Sequence, residues 1–466
     1  MTGPVEGGPA AGGSPASAAR RREVIDALRR GAVPATGLDL LAVGLGRFEQ
    51  ATAEDLAAVA AGGSVFKAVR GEYGSGKTFF TRWLAERAKR HNLATAEVQI
   101  SENETPLHRL ETVYRRLTER LTTATFPPSA LRAVVDGWFY ALEEDVLAAG
   151  GFDDGDDGGD DDGLLDQAVT ALLDHRLADV ARTAPAFAAA LRGYRAATLA
   201  GDAATAAALL AWLGGQPHVA ASARRAAGVR GDLDHFGALG FLQGLLVVLR
   251  DSGYRGLLVV LDEVETLQRV RSDARDKALN ALRQLIDEVH SGRFPGLYLV
   301  ITGTPAFYDG PQGVPRLPPL AQRLATDFST DPRFDNPRAV QIRLPGFTEE
   351  SLVELGGRVR ALYASGSVAA DRINRLVDDA YLAELARAVA GRLGGQVGVA
   401  PRLYLKKLVG DVLDRVDQFA DFDPRRDYPL TISAAEMTEL ERNAAAGGGA
   451  VPAPPSSADD IALDLP

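Results

Sequence analysis

The stretch that decides the fold is GEYGSGKT at residues 71–78, a complete GxxxxGK(S/T) motif. An apolar run at residues 64–69 precedes it and is typical of a buried strand, while apolar residues at helical spacing follow it, namely Phe80, Trp83, Leu84 and Ala88. Glycines let the backbone bend tightly, so that successive N–H groups and the positive end of the next helix converge on an anion. The alternative is a glycine-rich turn beside a surface lysine, and the full motif in this context disfavours it.

The motif predicts binding of a nucleoside triphosphate, ATP, together with Mg²⁺. Lys77 is expected to reach the β- and γ-phosphates, and the Thr78 hydroxyl is expected to bind the metal ion. The predicted cofactor-binding residues of this loop and its first helical turn are Gly71, Glu72, Tyr73, Gly74, Ser75, Gly76, Lys77, Thr78 and Phe79.

A second motif follows residues 257–261, an unbroken apolar run of the kind that fills the centre of a parallel sheet. The run ends in Asp262 and Glu263, which would lie at the carboxyl edge of the strand, where open α/β sheets bind ligands. Asp262 is the expected metal partner, and Glu263 can polarise a water for attack on the γ-phosphate. This pair favours an ATPase over a kinase, in which Glu263 would hydrolyse ATP wastefully. An acidic turn after a core strand is the alternative, and the phosphate loop disfavours it.

Composition excludes several other classes of protein. The chain has 466 residues, 46% of them hydrophobic, so it can bury a large core in two or three domains. It has no cysteine, hence no disulfide or cysteine-bound zinc, and its six histidines lack metal-ligand spacing. No membrane-spanning run or secretion signal is found, and we expect a cytoplasmic protein without membrane contact. The net charge of −11 argues against a surface that binds DNA throughout, although a local basic patch remains compatible with it.

The order of elements divides the chain into segments. Residues 1–19 and 441–466 are expected to be disordered because of their Gly, Pro, Ala and Ser content. Residues 20–121 and 235–346 would form the two halves of a P-loop core, interrupted by a helical insertion at 122–234 and followed by a helical lid at 347–440. The acidic run at residues 153–162 predicts a mobile loop, since like charges repel and the EF-hand glutamate is missing.

Further strands are predicted at residues 94–100, 296–301 and 339–344. Thr304, or less favourably Thr302, fits a sensor that contacts the γ-phosphate and the attacking water, although both could simply cap a strand. Arg402, at a helix start, could sense the γ-phosphate or lie in solvent. These elements describe an α/β, AAA+-like (ASCE) P-loop ATPase with a central parallel five-stranded sheet, a helical insertion and a C-terminal helical lid.

Four segments resemble the BrxD family of ATP-binding proteins of bacteriophage-exclusion (BREX) systems. They are RREVIDALRRGAVPATGLDLLAVGLGR, VRGEYGSGKTFFTRWLA, LLVVLDEVETL and ITGTPAFYDG, and the likeness runs from about Arg21 to Asp421. The resemblance implies an AAA+-type ATPase, related in plan to the origin-recognition and STAND groups, that is encoded beside a large superfamily-two helicase and acts in defence against phage.

The resemblance also implies roles for individual residues. Lys77 and Thr78 take the Walker A roles, and Arg402 takes the second-sensor role. Asp262 and Glu263 take the Walker B roles.

Two further sets of residues are expected from this class of ATPase. The segment before the first strand wraps the adenine, so residues 33–47 are the candidate base pocket, which includes Val33, Pro34 and Arg47. Many AAA+ proteins hydrolyse ATP only as oligomers, because an arginine of a neighbour stabilises the transferring phosphoryl group. In a homo-oligomer Arg316 or Arg323 would be that arginine; otherwise both are surface charges.

Two functions fit these expectations. The first is an ATP-driven switch or loader that works on DNA with the helicase and other defence proteins. The second is a STAND-like sensor of infection, in which the insertion holds an inactive state and ATP binding releases an oligomer with little steady-state hydrolysis. Short basic clusters at residues 20–22, 29–30, 224–225 and 406–407 predict at most weak, sequence-nonspecific DNA contact, and solvated helix faces are the alternative.

Overall fold

The structure is a computed structural model that describes residues 17–149, 161–395, 398 and 400–446. Most of the predicted disordered ends and of the acidic run at 153–162 therefore lies outside the described residues. At the described margins the chain is ordered: Ser17 caps the first helix, residues 161–162 begin another, and residues 441–445 lie in the last. These margins are helical instead of disordered.

The described residues contain five strands and twenty-one α-helices. The strands are β1 (Val65–Arg70), β2 (Ala94–Gln99), β3 (Leu257–Asp262), β4 (Leu297–Gly303) and β5 (Gln341–Arg343). The helices are α1 (Ala18–Arg29), α2 (Gly46–Ala60), α3 (Lys77–Arg90), α4 (Leu110–Arg120), α5 (Leu131–Ala148), α6 (Asp161–Arg176), α7 (Ala178–Thr183), α8 (Pro185–Leu199), α9 (Ala203–Leu213), α10 (Ala221–Ala226), α11 (His235–Asp251), α12 (Ser272–His290), α13 (Pro305–Asp309), α14 (Pro318–Arg323), α15 (Glu349–Ala364), α16 (Ala370–Leu376), α17 (Asp379–Arg392), α18 (Pro401–Lys406), α19 (Asp414–Gln418), α20 (Pro424–Asp427) and α21 (Glu439–Ala445).

All five strands form one parallel sheet in the order β2-β3-β4-β1-β5. Strands β3 and β4 are buried along their whole length, which explains why their sequences are continuous apolar runs and not alternating ones. The register pairs Gln99 with Asp262 and Leu261 with Ile301. Because parallel strands run in one direction, the residues at their carboxyl ends gather at one edge of the sheet.

The chain divides into two compact units. One, the sheet unit, comprises residues 45–346; the other, the helical unit, comprises the described residues of 1–44 and 347–449. Helix α1 belongs to the helical unit because its apolar face, which includes Val24 and Leu28, is buried there, and Arg29 Nε lies 2.7 Å from Asp414 Oδ2. Residues 20–44 thus group with the C-terminal helices, whereas the sequence placed them with the P-loop core.

The predicted insertion is helical, and it packs into the same hydrophobic core as the sheet. Its link to the core is α11, whose Phe241 ring lies 5.2 Å from that of Phe187 in α8 and 5.3 Å from that of Trp212 in α9. The ring of Tyr114 in α4 also lies 5.8 Å from the ring of Phe241 in α11. The insertion therefore shares its interior with the sheet unit.

Two glycines on one face of α11 allow this close packing. A Cβ built on Gly240 would lie 2.8 Å from Ala184 Cβ, and one built on Gly244 would lie 2.5 Å from two ring carbons of Phe187. Both distances are shorter than a van der Waals contact, so any side chain at these positions would force the helices apart.

We expect Gly244→Ala to lower the free energy of unfolding by about 1–3 kcal/mol, because overpacking against the buried Phe187 ring outweighs the better helix propensity of alanine. Urea unfolding measures this change in the free energy of unfolding. The matched control is Gly137→Ala in α5, where a Cβ would meet nothing within 4 Å. This control should gain about 0.5–1 kcal/mol. Equal stability of the two variants would contradict the packing described above.

Candidate functional site

The loop between β1 and α3 forms a cradle for an anion. Gly74 and Gly76 adopt positive φ angles of 82° and 89°, which glycine tolerates without strain. A Cβ at Gly71 would lie 2.3 Å from Ser75 Oγ, so the loop closes on itself tightly. Helix α3 begins at Lys77, and the first N–H groups of a helix attract negative charge. Glu72 and Tyr73 are exposed at the rim, and Phe79 is half-buried in α3.

Lys77 points back into this loop. Its ammonium donates hydrogen bonds to the carbonyl oxygens of Gly71 at 2.8 Å and Glu72 at 3.3 Å. It also lies 5.1 Å from the centre of the Tyr73 ring. Burial lowers the pKa of Lys77, and the nearby carboxylates oppose this effect. Lys77 is thus a buried cation whose hydrogen bonds go to loop carbonyls that a phosphate can replace.

The acidic end of β3 meets the loop. The Thr78 hydroxyl donates to Asp262 Oδ2 at 3.4 Å, and the Thr302 hydroxyl donates to Asp262 Oδ1. The backbone N–H of Glu263 donates to both Asp262 Oδ1 and Thr302 Oγ1, each at 3.1 Å. Asp262 and Thr302 are buried at 6% and 0% exposure, so these contacts are shielded from water. The two residues predicted to bind metal, Thr78 and Asp262, therefore share one site.

Glu263 is held beside this site by a residue that sequence reasoning missed. It adopts a left-handed conformation, φ 62° and ψ 43°, which is unfavourable for a non-glycine residue and turns the chain at the strand end. Gln99 Nε2 donates to Glu263 Oε2 at 2.8 Å. Nothing in the local sequence marks Gln99 as a site residue. Its role becomes visible only from the sheet register, which sets Gln99 opposite Asp262.

The two candidate sensor threonines lie in different environments. Thr302 contacts Asp262 and Glu263, as described above. Thr304 is buried and precedes α13, where its side chain makes no capping hydrogen bond. The contacts thus favour Thr302, the less preferred candidate from the sequence, as the threonine of this site.

Two further residues, which the sequence analysis did not single out, lie close to the phosphate loop. Glu265 is 5% exposed, and its Oε1 lies 4.0 Å from Lys77 Nζ. Burial raises the pKa of Glu265 to about 7. Arg269 is exposed, and its charge acts on the Tyr73 hydroxyl in the loop. Glu265 follows the Asp-Glu pair by two residues, so proximity in sequence was the one available signal.

The residues present fit Mg²⁺ and a nucleotide. The hydroxyl of Ser75 is buried in the cradle without a hydrogen-bond partner among the described residues, as an anion-binding group would be before its ligand arrives. Thr78 and Asp262 supply the oxygen ligands that Mg²⁺ prefers. In the described part of the chain no group of three or more His, Cys, Asp or Glu residues could hold a metal ion by itself.

The two candidate arginine fingers are paired within the chain. Arg316 donates to Asp276 at 2.5 Å and to Ser272 at 2.6 Å. Arg323 is ion-paired with Asp287 and donates to the Pro319 carbonyl at 2.6 Å. Either side chain would have to leave these partners to reach a neighbouring subunit, and the finger role stays a prediction.

The predicted base-pocket residues fall in both units. Val33 and Pro34 follow α1 in the helical unit, and Arg47 lies in α2 of the sheet unit. Arg47 donates to the carbonyl oxygens of Pro332 at 3.0 Å and Arg343 at 3.3 Å. The base pocket therefore stays a prediction.

Arg402, the candidate second sensor, is held inside the helical unit. Its Nε donates to Glu441 Oε1 at 2.9 Å, and its Nη2 donates to the Glu436 carbonyl at 2.6 Å. Glu441 is only 2% exposed, and it also accepts from the Thr438 N–H at 2.7 Å. An Arg402 that senses a phosphate would first have to leave Glu441.

Several of the short basic clusters are neutralised by carboxylates of the same chain. Arg29 pairs with Asp414 at 2.7 Å, and Lys407 pairs with Glu436 at 2.8 Å. Arg224 lies 3.7 Å from Asp232. These pairs leave less positive charge for phosphates than the sequence suggests. Within the described residues, no helix is both long and apolar enough to cross a membrane.

The sheet order and this site together define a P-loop ATPase fold of the AAA+ class. One strand, β4, separates the strand that carries the phosphate loop from the strand that carries the acidic pair, and its end supplies Thr302. A phosphate cradle, a lysine, a metal-binding hydroxyl and an acidic pair lie at the carboxyl edge of this sheet.

Comparison with known proteins identifies the family. The family model described as "BREX system ATP-binding protein BrxC/D" matches residues 16–432. The chain belongs to this family, which confirms the resemblance found in the sequence. No curated protein matches the chain.

A solved structure of the Aeropyrum pernix ORC2 protein, in ADPNP-ADP complexes, is similar to the chain with 11% identity and a TM-score of 0.32. The match covers 83% of this chain and 70% of that one. A likeness at this level carries no information about activity.

We expect Thr302→Val to weaken Mg²⁺-dependent ATP binding, since Asp262 loses the hydroxyl that orients it. Loss of such an outer partner typically costs 10–100-fold in metal affinity, so the Mg²⁺ concentration for half-maximal ATP binding should rise by about that factor. Magnesium titrations at fixed ATP measure it. Thr304→Val is the matched control and should shift the midpoint less than about twofold. The reverse order would restore Thr304 as the preferred threonine.

Proposed function

We propose that this protein binds Mg²⁺-ATP at the described edge of the sheet and hydrolyses it, with Glu263 as the general base. The observation that carries the proposal is the convergence of Thr78, Asp262 and Thr302 on one buried point next to Lys77 and Glu263. An adjacent metal site and carboxylate are what in-line attack of water on a phosphate requires.

Each residue has a separate task in this proposal. Lys77 leaves the loop carbonyls and binds the β- and γ-phosphates. Thr78 and Asp262 hold the metal ion, and Thr302 keeps the Asp262 carboxylate in position. Bound Mg²⁺ screens the phosphate charge and so lowers the cost of adding electrons to the γ-phosphoryl group. Glu263 accepts the proton of the attacking water at a carboxylate oxygen.

The hydrogen bond from Gln99 fixes the orientation of Glu263. Glu263 Oε2 accepts from Gln99 in the structure, and Oε1 is the carboxylate oxygen left to accept the water proton. Gln99 is therefore a positioning partner of the base in this proposal.

We further propose that the nucleotide state acts as a switch or loader, in the cytoplasm, with a helicase and other defence proteins on DNA. Membership in a BREX family of ATP-binding proteins supports a role in phage defence, and the meeting of the phosphate loop with the acidic pair supports a nucleotide-dependent switch. A STAND-like sensor is the second candidate. The Arg402–Glu441 pair favours it, because Arg402 would have to leave Glu441 before it could act on a nucleotide.

We expect Glu263→Gln to bind ATP with near wild-type affinity and to reduce kcat by about 10²–10⁴-fold, since it loses the base and keeps the cradle. Steady-state phosphate release and ATP titration calorimetry measure the two quantities. Lys77→Ala is the companion variant and should bind ATP much more weakly than the wild type. Unchanged turnover in Glu263→Gln would remove it as the base.

The loader and the sensor make opposite predictions for the stimulus of turnover. If the protein is a loader, duplex DNA or the neighbouring helicase should raise kcat by about tenfold or more over the chain alone, with a strong salt dependence for DNA. The control is Lys77→Ala under the same conditions, which should stay inactive. Negligible hydrolysis in all mixtures, together with oligomers that form only with a phage component, would instead support the sensor.

A further inference from the structure

Glu265 is a buried carboxylate that the proposed hydrolysis does not use. It lies in a short 3₁₀ helix, Val264–Gln268, that begins after the left-handed turn at Glu263. Neither of its carboxylate oxygens accepts a hydrogen bond from another described residue. Burial raises the pKa of Glu265 to about 7, so the carboxylate is ionised above that pH. An ionised carboxylate buried in this way is costly unless a nearby charge compensates it. Above pH 7 Glu265 therefore requires a cation.

That cation is Lys77. Glu265 Oε1 lies 4.0 Å from Lys77 Nζ, and both side chains are less than 10% exposed. An ammonium has three N–H donors, and two of those on Lys77 go to the carbonyl oxygens of Gly71 and Glu72. At 4.0 Å the contact with Glu265 is electrostatic and not a hydrogen bond. The attraction holds Lys77 in the loop and can be given up without breaking a hydrogen bond.

Other charged groups surround the pair and act less strongly on Lys77. Asp262, Glu72 and Glu263 attract it from the strand end and the loop, but among the carboxylates the effect of Glu265 is the largest. The phenols of Tyr73 and Tyr308 also feel the Glu265 charge, and burial keeps both of them neutral by raising their pKa. Glu265 is thus the main counter-charge of Lys77 in this conformation.

We propose that Glu265 is a positioning residue: it holds the Lys77 ammonium in the loop until the phosphates of a nucleotide take over that cation. This inference rests on the nucleotide-binding part of the proposed function and not on hydrolysis. Lys77 has to move from Glu265 and the loop carbonyls to the β- and γ-phosphates, so Glu265 competes with these phosphates for one cation. Glu265 therefore lowers the affinity for a nucleotide, and the reduction is larger for nucleotides that bring more phosphate charge to Lys77.

The test uses the full chain with Glu265→Gln, which removes the charge and keeps the shape. Dissociation constants for ATP, ADP and AMP in the presence of Mg²⁺ are measured by calorimetry at pH 8, where Glu265, with its pKa of about 7, is ionised. ATP should bind about tenfold more tightly to the variant than to the wild type, and ADP should gain less. AMP should be unaffected because it lacks the phosphates that meet Lys77.

Two controls separate this effect from a general loss of negative charge and from misfolding. Glu288→Gln removes the same charge at the end of α12, before β4 begins and thus near the opposite edge of the sheet. It should leave all three affinities unchanged. Glu265→Asp keeps the carboxylate and should stay closer to the wild-type ATP affinity than Glu265→Gln does.

A double-mutant cycle with Lys77→Ala tests whether Glu265 acts through Lys77. In that background Glu265→Gln should change ATP affinity less than about twofold, because the cation is missing. If Lys77→Ala binds ATP too weakly for calorimetry, the cycle is built on Lys77→Met instead. The ATP affinities of Lys77→Met with and without Glu265→Gln are then measured by displacement of a labelled nucleotide at high ATP concentrations. An equal gain with and without Lys77 would overturn the positioning role and indicate direct repulsion of phosphate.

Failure of this inference is distinct from failure of the proposed function. Unchanged affinities in Glu265→Gln, or equal shifts for ATP and AMP, would overturn the inference while wild-type ATP binding stands. A wild-type chain that binds no ATP would overturn the proposed function itself.

Discussion

The parallel pairing of β3 with its neighbours is the constraint on which the site depends. Gln99 is in register with Asp262, and Leu261 is in register with Ile301, so Gln99, Asp262 and Thr302 end at the same level. The side-chain direction in a strand alternates with every residue, and a slip of one residue would turn Asp262 to the opposite face. The apolar runs of β3 and β4 are buried along both strands and end at this edge. The polar residues at their carboxyl ends therefore meet there.

The charges at this edge explain why a divalent cation and a nucleotide would bind together. Asp262, Glu263, Glu265 and Glu72 all act on the single ammonium of Lys77. A polyphosphate that entered this edge alone would meet net negative charge, and the low polarity of the buried positions would strengthen the repulsion. In the proposed function Thr78 and Asp262 would hold Mg²⁺, whose charge would offset this repulsion. The carboxylates would thus make nucleotide binding depend on the metal ion.

The sequence predicted those features that depend on local pattern. The five segments predicted as strands became the five strands, and the loop at residues 71–78 and the Asp262–Glu263 pair lie together. Features set by long-range packing were not predictable. Periodicity shows that α1 has an apolar face but not that this face is buried against helices beyond residue 347. Likewise, the choice of Thr302 over Thr304 requires knowledge of where β4 ends and of its register. Gln99 is recognised as a site residue only because it is the neighbour of Asp262 in the sheet.

The shared core bears on the choice between loader and sensor. A sensor in which the insertion swings away would expose the rings of Phe187, Trp212 and Phe241, which pack against each other. Aromatic side chains bury about 150–250 Å² each, so exposing three of them would cost on the order of 10 kcal/mol. That is comparable to the whole stability of a typical domain. Release of the insertion as a separate body is therefore unfavourable. Small shifts are cheaper, and α11 leads directly into β3, so motion of the insertion could reach Asp262 and Glu263 through this connection. The shared core therefore favours the proposed switch over a sensor whose insertion separates from the sheet.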